Sequence, residues 1–284
     1  MSTSRGPAPA PDLPPTPSVA PPGRSRRRRL GVVAIAVGVA ASLVVAGLVA
    51  TGVLPWWPRA PGPAIPFSQA RSDAAGSAAS GLGGSWVANA AVAIVARVPT
   101  SVPVNLSVLL GSGCAVTALP GVTVPTQLLV PAYAGSFGSG LSPLWLVAVS
   151  NPTDHEVVLV EVLDRQGTPL AQVTGSSCLS SGPLSRPLPG ATVDSPQVAG
   201  LAWSAAGQTF VADDPSLTVL VLAALGGGLS YAGQSFGSIW GIAYAPCEPF
   251  LGGTVSEDSD VAALNLTTGA LIAFYSNLAV NCPL

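Results

Sequence analysis

The sequence predicts a single transmembrane helix followed by an extracytoplasmic α+β body, in which a module of one helix and an antiparallel sheet occurs twice in tandem. Three observations predict this fold class. Residues 30–54 form an apolar run without charge, the chain of 284 residues is 49% hydrophobic but only 8% charged, and short patterns recur in the same order in two halves. A single β-rich, sandwich-like domain is the alternative for the body.

Residues 1–29 are predicted to form a disordered, basic, cytoplasmic tail. Eight prolines in residues 1–23 fix φ and remove backbone donors, so neither helix nor sheet is expected there. The tail has six arginines against one acid, and four of them directly precede the apolar run: Arg26, Arg27, Arg28 and Arg29. Arginines beside a span set its orientation, which predicts a cytoplasmic N-terminus. Their position against the span explains them fully, so we predict a lipid bilayer and no nucleic acid as partner.

Residues 30–54 are predicted to cross the membrane. A helix of 25 residues is about 37 Å long, enough for a hydrocarbon core of about 30 Å. A cleaved signal peptide is the alternative, but its apolar region is usually shorter, and no good small-residue cleavage pattern follows this one. We therefore expect an uncleaved anchor. Residues 55–67 contain five prolines and are predicted to form a stiff stalk between the membrane and the body.

The body shows two signs of internal duplication. The pattern S-x-x-G-x-[ST]-[WF]-V-A-[ND] occurs at 80–89 and again at 204–213, and each copy follows a helix-compatible segment, 68–79 and 194–206. Ser68 and Asp194 are residue types that favour helix N-termini. These matches predict two α+β modules, at residues 68–183 and 184–284.

Each predicted module ends in a strand and a hairpin. The tryptophans at 145 and 240 begin matching strands, and each is followed by two strands around a polar turn, 157–163 with 168–173 and 261–265 with 270–275. Gly167 and Gly269 are expected at the turns because glycine adopts positive φ. The strands are apolar on nearly every residue, which predicts sheets covered on both faces. Residues 217–224 are consistent with such a strand or with a buried helix.

The cysteines predict disulfide bonds. All four follow the apolar run: Cys114, Cys178, Cys247 and Cys282. An even number outside the membrane is typical of disulfides, and closure within each module would pair Cys114 with Cys178 and Cys247 with Cys282. A metal site and free buried thiols are the alternatives. The chain has one histidine, His155, and no C-x-x-C motif, so a metal site is disfavoured and no cofactor is expected.

The candidate catalytic residues form weak patterns. Ser235 lies in G-Q-S-F-G, which matches the nucleophile-elbow pattern, but His155 precedes it and residues 237–244 predict a strand where that motif needs a helix. Two acidic clusters are candidate carboxylate pairs: Asp213 with Asp214, and Glu257 and Asp258 with Asp260. The first cluster favours a turn before a strand, and the second a solvated loop. A hydrolase using Ser235 or a carboxylate pair is therefore the alternative rather than the main prediction.

Two further residue types bear on surface and core. Asn105 and Asn265 begin N-glycosylation sequons on the extracytoplasmic side of the predicted span. The tryptophans of the body are expected to pack in the core, with an exposed ligand platform as the alternative.

Composition excludes several enzyme classes. The chain has no lysine, so Walker A nucleotide binding, Schiff-base catalysis and Ser–Lys dyads are ruled out. The function we predict is a membrane-anchored, non-catalytic binding or structural protein of the cell envelope. Its body is expected to bind a protein or glycan partner, or further copies of itself, outside the cell.

Overall fold

The computed structural model divides the chain into two units, 1–57 and 58–284, and all the residues that it describes belong to the second. The described residues are 63–96, 102–105, 114–122, 127–131, 133, 135–213, 218–227, 229–231, 234–246 and 255–281. The predicted tail with Arg26, Arg27, Arg28 and Arg29, the predicted span and most of the predicted stalk lie outside them. In the described part of the chain, no helix combines the length and the apolar character needed to span a membrane.

Four α-helices and two other helical turns are described. The helices are α1 (Phe67–Leu82), α2 (Ser176–Ser180), α3 (Ser195–Ala202) and α4 (Gln208–Asp213). A π-helical turn at Trp203–Gly207 joins α3 to α4. A 3₁₀ turn occupies Phe137–Ser139.

The described residues form thirteen strands. They are β1 (Val87–Ala96), β2 (Val102–Asn105), β3 (Ala115–Ala118), β4 (Gln127–Val130), β5 (Leu144–Ser150), β6 (Val157–Leu163), β7 (Gln166–Thr174), β8 (Thr218–Leu225), β9 (Leu229–Tyr231), β10 (Gln234–Phe236), β11 (Ile239–Pro246), β12 (Val255–Asn265) and β13 (Leu271–Asn281). The body is thus a mostly antiparallel β structure with few helices, as the α+β prediction and its β-rich alternative both required.

Nine strands form one antiparallel sheet in the order β13-β12-β11-β8-β1-β5-β6-β7-β3. Strands β1 and β8 pair at its middle, with Ala90 opposite Leu225 and Ala96 opposite Val219. On one side of this pair lies the meander β5-β6-β7, and on the other side the meander β11-β12-β13. Each half therefore repeats the order helix, inner strand, three-stranded meander. Two short ladders, β2 with β4 and β9 with β10, lie outside the sheet.

Both faces of the sheet are buried along strands such as β5 and β6, as their continuous apolar sequences predict. One face packs against the helices in the main core, which includes the fully buried Trp145 and Trp240. After Phe67 in its first turn, helix α1 buries alanines against this face, at positions 70, 74 and 78, and these small side chains allow the helix to approach the sheet closely. The opposite face is covered by three smaller apolar clusters, to which α2, β4 and β10 each contribute a buried residue: Cys178, Val130 and Phe236.

The local predictions are mostly confirmed. The strand at 157–163 has the predicted bounds, residues 217–224 lie largely in strand β8 rather than in a helix, and residues 239–246 form a strand after Ser235. Helix α1 begins at Phe67, which is buried with Ile65 inside the predicted stalk, so the packed body extends into residues 65–67.

Two local predictions are wrong. The turn between β6 and β7 uses Asp164 and Arg165, with φ of 57° and 64°, whereas Gly167 lies in strand β7. The ten-residue match is also not structurally equivalent. Its first copy runs from α1 into β1, whereas its second copy runs through the π-helical turn and α4.

Candidate functional site

The predicted pair Cys114–Cys178 forms a disulfide, with the two Cα atoms 5.1 Å apart. It joins the residue before β3 to helix α2, on the sheet face opposite the large helices. The other predicted pair, Cys247 and Cys282, lies outside the described residues. In the part of the chain that is described, no group of three or more metal-ligating side chains comes together.

Ser235 and His155 lie on different hairpins. Ser235 is exposed in the short strand β10, and His155 is exposed in the turn between β5 and β6, where its φ is 62°. Strand β11, which follows Ser235, and strand β5, which precedes His155, are separated in the sheet by β8 and β1. Three strand spacings correspond to about 14 Å between their backbones. The sheet therefore does not bring the strands next to Ser235 and His155 into contact with each other.

The acidic residues are also distributed differently from the prediction. Asp213 ends helix α4, and Asp214 lies outside the described residues. Glu257, Asp258 and Asp260 belong to strand β12, not to a loop. The pairing of β12 with β13 is irregular around them, with register shifts between Ser256 and Val261.

Of the two sequons, one is described in detail. The Asn265 side chain closes the turn after β12, because its Oδ1 accepts hydrogen bonds from the backbone N–H groups of Thr267 and Thr268 and from the Thr267 hydroxyl. Asn105 ends strand β2.

The most distinctive surface of the described body is a cleft of about 390 Å³ between α3 and the β12–β13 hairpin. The described residues that line it are Leu201, Ala202, Ala205, Leu264, Thr268, Gly269, Ala270 and Leu271. Their side chains carry a single polar group, the Thr268 hydroxyl, and no charge. Such a cleft is suited to an apolar side chain or surface rather than to a charged ligand.

The cleft continues onto the exposed face of the last strand. Leu201 is 49% exposed on one wall, and Leu271, Ile272 and Phe274 on β13 are 53%, 45% and 40% exposed. These four residues are four of the five large hydrophobic side chains that the described body exposes, the fifth being Leu82. We call the cleft and these four residues the β13 surface. Clustered exposure of this kind is typical of an interaction site.

The cleft exists because α3 does not lie over β12 and β13. Helix α1 packs across β1, β5, β6 and β7, whereas α3 packs mainly on the 3₁₀ turn and, among the strands, chiefly on β11. Gly140 holds that turn in place: its φ is 64°, and a Cβ there would lie 2.2 Å from the Ser195 carbonyl oxygen. Phe137 then meets Trp203 with ring centroids 6.4 Å apart.

A buried phenol lies beneath the π-helical turn. Tyr244 on β11 is 1% exposed, and its hydroxyl has no hydrogen-bond partner among the described residues. Burial raises the pKa of this phenol well above its ordinary value of 10.0. Its ring contacts Trp203 and Phe210, with centroids 6.3 Å and 6.2 Å away, so the phenol is part of the apolar core beneath α3 and α4.

A second, smaller cleft of about 230 Å³ lies beside α1 and the start of β1. Its only charged lining residue among those described is Arg71, which donates hydrogen bonds to the carbonyl oxygens of Leu188 and Pro189. Burial lowers the pKa of Arg71. Because its guanidinium already fixes the 188–192 loop against α1, we interpret this cleft as part of the scaffold.

Sequence reasoning found the disulfide partners Cys114 and Cys178 but missed the β13 surface. Strand 270–275 was predicted, yet its exposure depends on where α3 lies. Comparison with known proteins gave no matching family model, no matching curated protein and no matching solved structure.

Proposed function

We propose that this chain is a single-pass, membrane-anchored protein whose body binds an apolar partner outside the cytoplasm, without catalysing a reaction. The observation that carries the proposal is the β13 surface, where an uncharged cleft and four exposed apolar side chains are contiguous. Because the cleft offers one hydroxyl group and no charge, a protein partner fits its chemistry better than a glycan does.

Two features support the topology in this proposal. The arginines at 26–29 precede an uncharged run of 25 residues, which favours a cytoplasmic tail and a body on the other side. The Cys114–Cys178 disulfide is typical of an oxidising compartment.

We also propose that the body arose by tandem duplication. The support is the repeated order of helix, inner strand and three-stranded meander on either side of the β1–β8 pair. The indole N–H groups of Trp145 and Trp240 add to it, since each donates to a carbonyl just before its module's helix, those of Ile65 and Val193.

An experiment on intact cells tests the proposed function. The full chain carries a tag at each end and a photoreactive benzophenone side chain at Leu201. Protease added outside should remove the C-terminal tag and spare the N-terminal one, and illumination should couple the body to a partner. Benzophenone at Leu82, 43% exposed but outside the β13 surface, is the matched control. A C-terminal tag that is digested only after lysis, or equal coupling from both positions, would contradict the proposal.

A further inference from the structure

We infer that the partner of the β13 surface is a second copy of the same chain, bound by antiparallel pairing of the two β13 strands. The inference rests on the proposed function, because it names the partner that the body binds. It is carried by a difference between the two edges of the nine-stranded sheet.

Strand β13 is an unprotected edge. It has 11 residues, about 37 Å of extended chain, and within the described residues only β12 pairs with it in the sheet. Its sequence, LIAFYSNLAVN, has no charge and no proline. Sheet edges normally avoid association by being short, by carrying charges or proline, or by being covered. Among the described residues, irregular pairing with β12 is the single protection of this kind at β13, and residues 273–275 pair regularly.

The opposite edge is protected in several ways. Strand β3 has 4 residues and is followed by a turn at Pro120 and Gly121. It pairs with β7 from Ala171 to Thr174, and the disulfide at Cys114 fixes its start. The part of β7 beyond this ladder contains Pro169, which cannot donate to a further strand. Further pairing is thus disfavoured at this end of the sheet.

A second copy fits the open edge for three reasons. An uncharged strand brings no like-charge repulsion when it pairs with itself. Antiparallel pairing about a two-fold axis centred on Ala273 places Ile272 of each copy opposite Phe274 of the other, so each covers the other's exposed apolar surface. Since the other edge is blocked, association stops at two copies and gives a closed, isologous dimer.

The proposed anchor favours the same arrangement. Copies held in one membrane share one orientation, and a two-fold axis along the membrane normal preserves it. The sheet contains a similar pairing within one chain. Strands β1 and β8 are the corresponding inner strands of the two halves. They pair antiparallel over seven residue pairs, from Ala90–Leu225 to Ala96–Val219.

The test uses the full chain in the membrane of living cells. Two versions with different tags are co-expressed, and one carries a benzophenone side chain at Phe274. We expect a product of twice the chain's mass that contains both tags. Ile272→Lys in both versions should lower the coupled fraction about tenfold or more, because a charge on an edge strand opposes pairing. Leu82→Lys, which adds the same charge elsewhere, should leave the fraction unchanged.

The other outcomes overturn the inference. A coupled product with one tag and a different mass means that a foreign protein occupies the edge, which leaves the proposed binding function intact. No coupling from Phe274, in cells where outside protease still removes the C-terminal tag, contradicts self-pairing. Self-pairing is also contradicted if Ile272→Lys and Leu82→Lys lower the coupled fraction equally while both variants keep the parent's thermal unfolding midpoint.

Discussion

The two outer meanders of the sheet share a topology but differ in what covers them. In the first meander, Trp145 on β5 pairs with Val162 on β6, and Val162 pairs with Gly167 on β7. At the corresponding position of the second meander, Trp240 on β11 pairs with Leu264 on β12, and Leu264 pairs with Leu271 on β13. Gly167 lies beneath α1, whereas Leu271 is 53% exposed.

The cause of this difference is a segment present in the first half alone. The chain between β1 and β5 contains the 3₁₀ turn Phe137–Ser139, and this turn packs against α3. Because α3 packs on this turn and on β11, no helix of the described residues covers the end of the second meander as α1 covers the first. One half of the sheet is thus covered by α1, whereas β13 in the other half exposes apolar side chains.

The largest expected effect is at the point where the halves meet. Phe67 packs between Trp145 and Trp240, with ring centroids 5.8 Å and 5.2 Å away. We expect Phe67→Ala to lower the free energy of unfolding by about 3–5 kcal/mol, because it opens a cavity shared by both halves. Urea unfolding of the full chain in detergent, followed by tryptophan fluorescence, measures it.

The matched control replaces Phe274, an exposed phenylalanine on β13. Phe274→Ala on the open edge, where the ring is 40% exposed in the single chain, should change the free energy of unfolding of the monomer, measured at high dilution, by less than about 0.5 kcal/mol. Similar losses for the two variants would mean that β13 is as deeply packed as the junction of the halves.

The next effect concerns the disulfide at the protected edge. Removing it with Cys114→Ala and Cys178→Ala should lower the free energy of unfolding by roughly 2–4 kcal/mol, since the bond closes a loop with a sequence separation of 64. Hydrogen exchange should show faster exchange in β3, with β11 and β8 unchanged. Faster exchange spread evenly over the sheet would contradict a local role at this edge.

The sequence predicted elements better than it predicted their surroundings. Strand 157–163 was found because an apolar run ends sharply at Asp164 and Arg165. The same reasoning assigned Gly167 to the turn, since glycine is the commonest residue at positive φ. Its actual role depends on the long-range approach of Ser77, whose hydroxyl donates to the Gly167 carbonyl. No local sequence pattern predicts this contact between Ser77 and Gly167.

The candidate site was not predictable for the same reason. Leu271 and Phe274 belong to an apolar strand like the others, and the sequence gives them no mark of exposure. Their exposure follows from the fit of Gly140 against the Ser195 carbonyl, across 55 positions in the chain. The placement of Glu257 and Asp258 in β12 was missed as well, because acidic residues are rare in strands and favoured the loop interpretation.

An intermediate effect is expected when one glycine in each meander is replaced by alanine, Gly167 on β7 and Gly241 on β11. A Cβ at Gly167 would lie 2.6 Å from the Ser77 Cβ, whereas at Gly241 on β11 the nearest atom would be 3.9 Å away. Gly167→Ala should therefore lower the free energy of unfolding by about 1–3 kcal/mol. Gly241→Ala should raise it by about 0.4–1 kcal/mol, because alanine restricts the unfolded chain. Losses of similar size at both positions would show that close contact with Ser77 does not set the effect at Gly167.

The smallest effect concerns the hydroxyl that is left without a partner beneath the π-helical turn. Tyr244→Phe removes a buried phenol that makes no hydrogen bond, so we expect the free energy of unfolding to stay unchanged or to rise by about 1 kcal/mol. The control is Tyr133→Phe, which removes a hydroxyl bonded to the Ser139 Oγ at 2.8 Å and should lower it by about 1 kcal/mol.

Tyr244→Phe should also differ from the parent in how its stability depends on pH. The pKa of Tyr244 is raised in the folded protein, so the unfolded chain loses this proton first, near its ordinary value of 10.0. The parent should therefore lose stability as the pH rises above about 10, and Tyr244→Phe should lose less. Urea midpoints between pH 8 and 11 measure the difference, and parallel curves for the two proteins would show that this phenol reaches solvent through the uncovered half.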